Sequence, residues 1–503
     1  MVVRSAGVLF VCAALTVPGV SPAQAQGRAR GQVPARAAAA PKITWKRCAE
    51  DRTARCGRLS VPIDWDRPGR GRIGIAVTRV KATKKRLGVL LVNPGGPGGS
   101  GVDFALDRAG LSRQVRERYD IVGFDPRGVG ASHAVRCGKT GKPARRFPRN
   151  EREFRKLKAY QAKLYKACRK KTGPLYDFLG AGGVARDMDM IRAALGVRQV
   201  SVFARSYGTW IGQRYAELFP GRVRAMVLDG AMDHGVRGAQ AFSVDEARGL
   251  EAGYAQFAAW CRTSRHCALR GRDAVDVLDG LMARARKGRL HEIGEPRVRL
   301  GVPGLAQMVR TSMYDPISWA QLGEELRELA RQKNRAVKGK AAAAPGPDGL
   351  FAGILCQDWS FPVRDHAELT AVMKATRRAA PHVRFNPLGH EAITACLGRP
   401  KAAADPQRPY RIRTPLLVVG GTGDPATVHP WAVGVQRSVP GSALLTYRGA
   451  GHGAYGLSGC ARKAIDAYLL NGTMPAAGAE CPAVPPDFGA LRLRNVPDEA
   501  RRW

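Results

Sequence analysis

Short runs of apolar and β-branched residues, separated by Gly-rich turns and amphipathic stretches, constrain the fold of this chain most strongly. Between the third and fourth of these runs, apolar residues from Val184 to Leu195 recur at helical spacing, and Gly196 follows as a helix stop. Strands that alternate with helices in this way are typical of a βαβ sheet. The strands that we predict in the first half of the chain are 73–80, 88–92, 119–124, 200–203 and 225–228.

A long helical block follows these strands and is itself followed by further strand signals. The predicted helices in the block are 246–263, 273–287 and 319–331. A loop is predicted at 333–349, and buried-strand patterns resume at 415–420 and 443–447. A separate helical domain would not need the sheet pattern to resume, so we interpret the block as an insertion into one sheet.

This interpretation divides the mature chain into three parts. We predict the first part of an α/β core at 43–230, a helical cap at 231–404 and the second part of the core at 405–503.

The first 42 residues carry the pattern of an export signal and a leader. Arg4 precedes an apolar stretch at 7–20, and Ala25 ends a site with small residues that a signal peptidase reads. We predict a signal peptide at 1–25 and a flexible leader or pro-segment at 26–42. The protein is therefore expected to be secreted, without a membrane span.

Ten of the 11 cysteines remain after loss of this signal, since Cys12 lies inside it. An even number of cysteines in an exported protein indicates disulfides. The chain has no Cys-x-x-Cys and no zinc-type spacing, so we expect neither a metal nor a cofactor. The predicted pairs are sequential and close short loops: Cys48–Cys56, Cys137–Cys168, Cys261–Cys267, Cys356–Cys396 and Cys460–Cys481.

The chain is strongly basic, with 82 Lys and Arg against 41 Asp and Glu and a formal net charge of +41. The densest stretch is 139–171, where 14 basic residues stand beside two Glu. This stretch has only scattered aromatic residues and matches no nucleic-acid-binding module, so we do not expect nucleic acid as a partner. We interpret it as a solvated helical insertion that attracts anionic cell-wall polymers.

A turn between a strand and a helix makes Ser206 the first candidate for chemistry. In a nucleophile elbow, a serine in a strained conformation needs small residues two positions before and two positions after it. Gly208 meets that need, whereas Ala204 adds one methyl group to the usual glycine. A helix N-cap is the alternative role for this serine.

A serine hydroxyl needs a base, and the base needs an acid that orients it. Behind such an elbow, the acid and then the histidine follow later strands of the sheet. Asp424 and His452 each follow one of the two late strands, so we predict a catalytic triad of Ser206, Asp424 and His452. Asp229 is the alternative acid, and His429 is expected to pack or to lie at the surface.

The sequence N-P-G-G-P-G-G-S-G at 93–101 follows a predicted strand. Its five glycines leave backbone N–H groups unobstructed, as an oxyanion hole requires. We predict Gly96 and Tyr207 as the two donors. A phosphate-binding loop is the alternative, but no Gly-Lys-Ser/Thr follows.

These motifs together carry a family resemblance. The loop at 93–101, G-F-D-P-R-G-V-G at 123–130, S-Y-G-T at 206–209 and the Asp424 and His452 loops resemble the tripeptidyl aminopeptidase and prolyl aminopeptidase-related branch of the α/β-hydrolases. The resemblance spans roughly 43–485. It implies an α/β-hydrolase fold, with a mostly parallel sheet and an inserted helical cap over the active site.

The resemblance also implies roles for residues outside the triad. It implies removal of short peptides or single residues from peptide N-termini, with an acidic cap residue holding the substrate ammonium. Asp358 is the best positional match for that residue, and a helix-surface position beside a disulfide is its alternative. Asp125 and Arg127 are expected to pair with each other and to brace the site.

Two other functions stay open at this point. An exported esterase or amidase acting on small non-peptide substrates would use the same site. A cell-wall-associated binding protein without catalysis is the third hypothesis, motivated by Ala204 and by the positive charge.

Overall fold

The computed structural model describes residues 42–341, 349–400 and 403–486. The predicted signal peptide and residues 26–41 of the predicted leader lie outside the described residues. Part of the predicted loop at 333–349 lies outside them as well.

Strands and helices alternate along the described chain. The strands are β1 (Thr44–Arg47), β2 (Arg55–Pro62), β3 (Arg72–Val80), β4 (Gly88–Asn93), β5 (Tyr119–Phe124), β6 (Val200–Arg205), β7 (Val223–Asp229), β8 (His291–Glu292), β9 (Glu295–Arg299), β10 (Lys340–Ala341), β11 (Leu417–Gly423), β12 (Ala443–Ala450) and β13 (Glu480–Cys481). The helices are α1 (Gly101–Leu106), α2 (Arg113–Arg118), α3 (Glu151–Thr172), α4 (Ala181–Ala194), α5 (Tyr207–Leu218), α6 (Ala239–Thr263), α7 (Ala274–Arg286), α8 (Val302–Ser312), α9 (Trp319–Arg331), α10 (Gly349–Asp358), α11 (His366–Ala379), α12 (Pro387–Ala395), α13 (His429–Ser438) and α14 (Gly459–Asn471). Among these described helices, none is both long and apolar enough to cross a membrane.

Ten of the strands form one sheet in the order β1-β2-β3-β5-β4-β6-β7-β11-β12-β13. The pairs among β1, β2, β3 and β5 are antiparallel. The rest of the sheet, in the order β5-β4-β6-β7-β11-β12-β13, is parallel at every neighbouring pair. The predicted α/β class with a mostly parallel sheet is confirmed, and each predicted strand lies within β3, β4, β5, β6, β7 or β12, except 415–420, which begins two residues before β11.

Sequence analysis missed the strands that lack a continuous apolar run. β2 places charged and polar side chains toward solvent along an antiparallel edge, and β1 is almost wholly exposed. β8, β9 and β10 form a small sheet inside the helical block, in which β8 is half-buried and β9 is largely exposed. Hydrophobic pattern is the main signal for a strand, so strands that bury few side chains give a weak one.

The central strands are buried on both faces because successive side chains point to opposite sides of the sheet. Leu91 belongs to a cluster with Met188 and Trp210, which come from α4 and α5. Its neighbour Leu90 belongs to a different cluster, with Leu469 from α14. Helices therefore cover both faces of the sheet. The loops that follow the carboxyl ends of the strands are not part of this core, and they carry the candidate site residues.

Helices α6 to α12 occupy the chain between β7 and β11. Helices α6 to α9 share a hydrophobic cluster, whose members include Leu250, Phe257, Leu278, Leu322 and Leu326, whereas buried residues of α10, α11 and α12 belong to the cluster that packs against the sheet. The three helices predicted there are found in α6, α7 and α9. The boundaries of a cap at 231 and 404 stay a prediction.

All five predicted disulfides are present in the described residues. Cys356–Cys396 joins the end of α10 to the residue after α12, and Cys460–Cys481 joins α14 to β13. Disulfides in this number are typical of a protein exported to an oxidising compartment.

The backbones of α1 and β5 approach each other closely at Gly101 and Gly123. A Cβ atom on Gly123 would lie 1.8 Å from the Gly101 carbonyl oxygen, a distance at which the backbones must separate. We expect Gly123→Ala to lower the free energy of unfolding by about 1–3 kcal/mol or more, measured by urea denaturation. Gly221→Ala is the control, since a Cβ atom there meets no atom within 4 Å. Equal losses in both variants would contradict this account of the contact.

Candidate active site

Ser206 stands alone between the end of β6 and the start of α5. Its φ of 56° and ψ of −131° form a strained conformation for a residue with a side chain. Its side chain makes no capping hydrogen bond to the helix, so the alternative role as a helix cap is wrong. In the described residues, its hydroxyl has no hydrogen-bond partner.

The two small residues beside Ser206 have different neighbours. A Cβ atom on Gly208 would lie 2.6 Å from the side-chain oxygen of Asn93 and 2.8 Å from its carbonyl oxygen, so only glycine fits there. Ala204 is fully buried in the core, on the side of β6 where α5 packs. The extra methyl group of Ala204 is therefore accommodated by packing, and the departure from the usual motif does not disturb the turn.

Asp424 and His452 lie beside each other because β11 and β12 are parallel neighbours. Gly423, the last residue of β11, pairs with Ala450 of β12, so both loops begin at the same edge of the sheet. Nδ1 of His452 lies 3.0 Å from each carboxylate oxygen of Asp424. Asp424 is buried and the side chain of His452 is only 9% exposed.

Backbone and side-chain donors of the following turn fix the Asp424 carboxylate. The amides of Ala426 and Thr427 donate to one oxygen at 2.8 and 2.9 Å. The Thr427 hydroxyl donates to the other oxygen at 3.0 Å and lies 3.4 Å from Nδ1 of His452. Sequence analysis missed Thr427, although an Asp followed by a threonine three residues later is a typical pattern of side-chain bonding to a turn.

Asp229, the alternative acid, lies close by but has other partners. Its carboxylate accepts hydrogen bonds from the amides of Ala454 and Tyr455, at 2.8 and 3.1 Å. Its carbonyl oxygen accepts the amide of Ser206 at 3.0 Å. Burial raises the pKa of this carboxyl above its usual value. Asp229 thus connects the histidine loop to the serine turn. The carboxylate that bonds the imidazole belongs to Asp424 and not to Asp229.

The turn after Asp229 passes close to the His452 imidazole, and Gly453 lies close to Arg205, the residue before Ser206. A Cβ atom on Gly230 would lie 3.5 Å from Cε1 of His452, and a Cβ atom on Gly453 would lie 3.0 Å from Cδ of Arg205. Tyr314, which follows α8 in the helical block, holds the histidine loop, since its carbonyl oxygen accepts the amide of His452 at 2.8 Å. Sequence analysis missed Tyr314, because nothing in its local pattern marks a contact with a loop so far along the chain. His429 bonds Thr446 at 3.0 Å and keeps the packing role expected for it.

The Gly-rich loop passes directly over the serine turn. Gly95 has a φ of 91°, and a Cβ atom there would lie 2.7 Å from the amide nitrogen of Tyr207. The amide of Gly95 is taken by the side chain of Asn93, and the amide of Gly99 donates to the carbonyl of Gly95. Within the described residues, the amides of Gly96 and Tyr207 have no acceptor. These are the two donors that the sequence predicts for an oxyanion.

Asp358 lies beneath the serine turn and is 1% exposed, so the alternative of a helix-surface position is wrong. Its carboxylate accepts the amide of Ala181 at 2.9 Å and the hydroxyl of Tyr207 at 2.5 Å. Burial raises the pKa of this carboxyl to about 7. The structure does not bring Asp358 to an open side of the site, where a substrate ammonium would approach.

The expected pairing of Asp125 with Arg127 is wrong. Arg127 instead makes a bidentate ion pair with Asp187 of α4, at 2.7 and 2.8 Å. Asp125 accepts the hydroxyl of Ser100 at 2.6 Å and the amide of Ala131 at 2.8 Å. Asp125 therefore braces the end of the Gly-rich loop through Ser100, whereas Arg127 joins α4 to the carbonyls of Pro62 and Ile63.

Two family models match the chain. The one described as "alpha/beta hydrolase fold" matches residues 88–286, and the one described as "TAP-like protein" matches residues 381–481. A sheet of this order with a serine elbow and an Asp–His pair at one edge defines an α/β hydrolase of the serine hydrolase class.

Curated relatives span most of the chain. Serine protease Hip1 of Mycobacterium tuberculosis is 32% identical over 468 residues, which cover 85% of this chain and 87% of that protein. Carboxylesterase B of the same organism is 32% identical over 497 residues, with 90% and 92% covered. Tripeptidyl aminopeptidase of Streptomyces lividans is 28% identical over 499 residues, with 90% and 89% covered. The chain belongs to the TAP-like family of α/β hydrolases, as its motifs predict.

The hydroxyl of Thr427 gives a direct test of how the Asp424 carboxylate is held. Thr427→Val keeps the shape of the side chain but removes the donor, so the carboxylate loses one of its bonds. We expect kcat for a chromogenic substrate to fall about tenfold, or ~1.4 kcal/mol in activation free energy. Thr427→Ser restores the hydroxyl and should recover most of the rate. An unchanged kcat in Thr427→Val would contradict this role.

Proposed function

We propose that the protein is an exported serine aminopeptidase in which Ser206 is the nucleophile, His452 the general base and Asp424 the acid that orients the imidazole. The observation that carries this proposal is the hydrogen bond that Nδ1 of His452 donates to the Asp424 carboxylate, whose two oxygens each lie 3.0 Å from it. It fixes one ring nitrogen as a donor and leaves Nε2 to accept a proton from a hydroxyl. In the described part of the chain, Nε2 of His452 makes no hydrogen bond to the Ser206 hydroxyl, and such bonds often tighten only with substrate.

Acylation follows from this arrangement. Nε2 of His452 takes the Ser206 proton while Oγ forms a bond to the peptide carbonyl carbon. The carbon–nitrogen bond then breaks, and the imidazolium gives its proton to the leaving amine. A water molecule repeats the sequence in the second half of the reaction, with His452 as base, and releases the N-terminal fragment as a carboxylic acid.

The amides of Gly96 and Tyr207 would hold the negative charge that develops on the carbonyl oxygen. Both lack an acceptor in the described residues, and the close passage of Gly95 over Tyr207 keeps them in one small region. Removal of one such donor typically costs about 10²–10³ in rate.

The names of the relatives favour a peptide substrate. One relative is a serine protease and another a tripeptidyl aminopeptidase, so we infer peptides with a free N-terminus as the substrate class. The alternative is an exported esterase or amidase on small substrates, which the relative named carboxylesterase B supports. The hypothesis of a non-catalytic binding protein loses one of its motives, because Ala204 packs without disturbing the turn.

Blocked and unblocked substrates distinguish the two catalytic functions. We expect the protein to hydrolyse short peptide p-nitroanilides with a free amine at least tenfold faster, in kcat/KM, than their acetylated forms, which is ~1.4 kcal/mol in the transition state. Ser206→Ala is the matched control and should lose turnover of both. Faster turnover of simple acyl p-nitrophenyl esters, with no preference for a free amine, would establish the esterase alternative and contradict the aminopeptidase.

For the positive charge, we propose attraction to anionic cell-wall polymers through one face of α3. Five basic side chains lie exposed on that face and have no ion pair in the described part of the chain: Arg152, Lys156, Lys163, Lys166 and Lys170. They extend over about 27 Å of helix at 1.5 Å per residue. Among the described residues, Val484 is the only large hydrophobic residue that is exposed. The described part of α3 therefore presents no apolar side chains that would insert into lipid beside these cations.

Neutralising this face should weaken binding to a linear polyanion. We expect the five-residue Gln variant to elute from immobilised long-chain polyphosphate at lower salt than the wild type, because fewer counterions are released on binding. A control variant with five exposed cations elsewhere changed to Gln loses the same net charge: Arg262, Arg270, Lys333, Arg335 and Lys338. Equal shifts in both variants would show that total charge, and not α3, determines the attraction.

A further inference from the structure

The side chain that follows the nucleophile is buried and anchored at its far end. Tyr207 is 2% exposed and borders a small apolar cavity behind the Gly-rich loop. The other residues around this cavity include Pro97, Leu179, Val184, Ile211 and Ile354. A buried phenol hydroxyl needs a partner, and here it donates to Asp358 at 2.5 Å.

Asp358 is held from a second direction by the start of α4. Its two carboxylate oxygens accept the amide of Ala181 at 2.9 and 3.1 Å. Gly180, the residue before this helix, has no side chain to cap it, and a Cβ atom there would lie 2.8 Å from the Asp358 carboxylate. The carboxylate of α10 therefore caps α4 in place of a local side chain, where the positive end of the helix dipole favours it.

The element that carries Asp358 is itself fixed. Gln357, the preceding residue, accepts the amides of Leu179 and Gly180 at 2.9 and 3.1 Å. It also donates to the carbonyl of Tyr176 at 2.9 Å. The disulfide between Cys356 and Cys396 joins the same turn of α10 to α12. The acceptor of the Tyr207 hydroxyl is thus a rigid point, and it lies in a helix far along the chain from the serine turn.

We propose that Asp358 is a positioning residue, which fixes the backbone N–H of Tyr207 as an oxyanion donor by anchoring the Tyr207 side chain. The inference rests on the proposed function of Ser206. The amide of Ser206 donates to the Asp229 carbonyl, and the Ser206 carbonyl accepts the amide and hydroxyl of Thr209, but the Ser206 side chain adds no structural bond to this strained turn. The anchored ring of Tyr207 supplies a side-chain restraint on the other side of the peptide bond that carries the oxyanion donor.

Charged and titratable groups around Asp358 agree with its role as an acceptor. Tyr207 donates to it from α5, Arg214 of the same helix lowers the pKa of the carboxyl, and Asp405 raises it. Tyr410 faces the same carboxylate from the 403–410 segment. Burial outweighs the lowering contributions and brings the pKa to about 7, so the ionised acceptor prevails above neutral pH.

A double-mutant cycle tests the proposal. We expect Asp358→Asn and Tyr207→Phe each to lower kcat about tenfold for a free-amine peptide p-nitroanilide, with KM changed less than twofold. The double variant should be no slower than the slower single variant, because both changes remove the same bond. Tyr207→Phe keeps the buried ring, so it tests the bond even if Asp358→Asn does not fold.

A partly buried Tyr–Asp pair provides a control, in which the aspartate also pairs with Arg169. The hydroxyl of Tyr165 donates to Asp177 at 2.7 Å, away from the serine turn. Asp177→Asn should lower the midpoint of thermal unfolding and leave kcat unchanged. A pure loss of stability in Asp358→Asn, with wild-type kcat, would show a structural role and overturn the proposal.

Two other outcomes would overturn the proposal in distinguishable ways. If Asp358→Asn raises KM for free-amine peptides and not for acetylated ones, Asp358 binds the substrate ammonium and does not position Tyr207. If Ser206→Ala keeps wild-type turnover, the proposed function itself fails, and the proposal fails with it.

Discussion

The pairing of β7 with β11 is the contact on which the site depends. Val419 of β11 lies opposite Asp229 of β7, and the amide of Gly230 donates to the Val419 carbonyl at 3.0 Å. This short parallel register joins two parts of the sheet that are separated in sequence by the whole helical block. Because the carboxyl ends of parallel strands meet at one edge, the loops of Ser206, Asp424 and His452 are brought to the same place. Without that register, the acid and the base would have no fixed relation to the serine.

Asp229 connects this strand register directly to the two turns that carry the nucleophile and the base. Its backbone carbonyl holds the amide of Ser206, and its carboxylate holds two amides of the histidine loop. One buried residue thus contacts the turns that carry both the nucleophile and the base. Burial of a carboxylate without such donors would cost desolvation free energy, so the burial of Asp229 requires the hydrogen bonds that it accepts. The same reasoning applies to Asp358, which joins α10 to α4 and to Tyr207.

The sequence was sufficient for the central strands of the sheet and for the order of the loops, because both leave strong local signals. Continuous apolar runs marked the central strands, whereas β1 and β2 bury too little to give such a run. Spacing along the chain was a poor guide to partners. Asp125 and Arg127 are two residues apart, yet Arg127 reaches Asp187, because the direction of a side chain depends on packing that the sequence does not display. The burial of a side chain was equally hard to predict. Asp358 was predicted to bind substrate, but the folded structure buries it beneath Tyr207.

The central claim of this account is that Ser206 is the residue that becomes acylated. A fluorophosphonate forms a stable bond to an activated serine, so mass spectrometry of the labelled, proteolysed protein reports the modified residue directly. The account predicts one adduct per chain, located on the peptide that contains Ser206, and its loss in His452→Ala. An adduct on another residue, or an unlabelled wild-type protein, would contradict it.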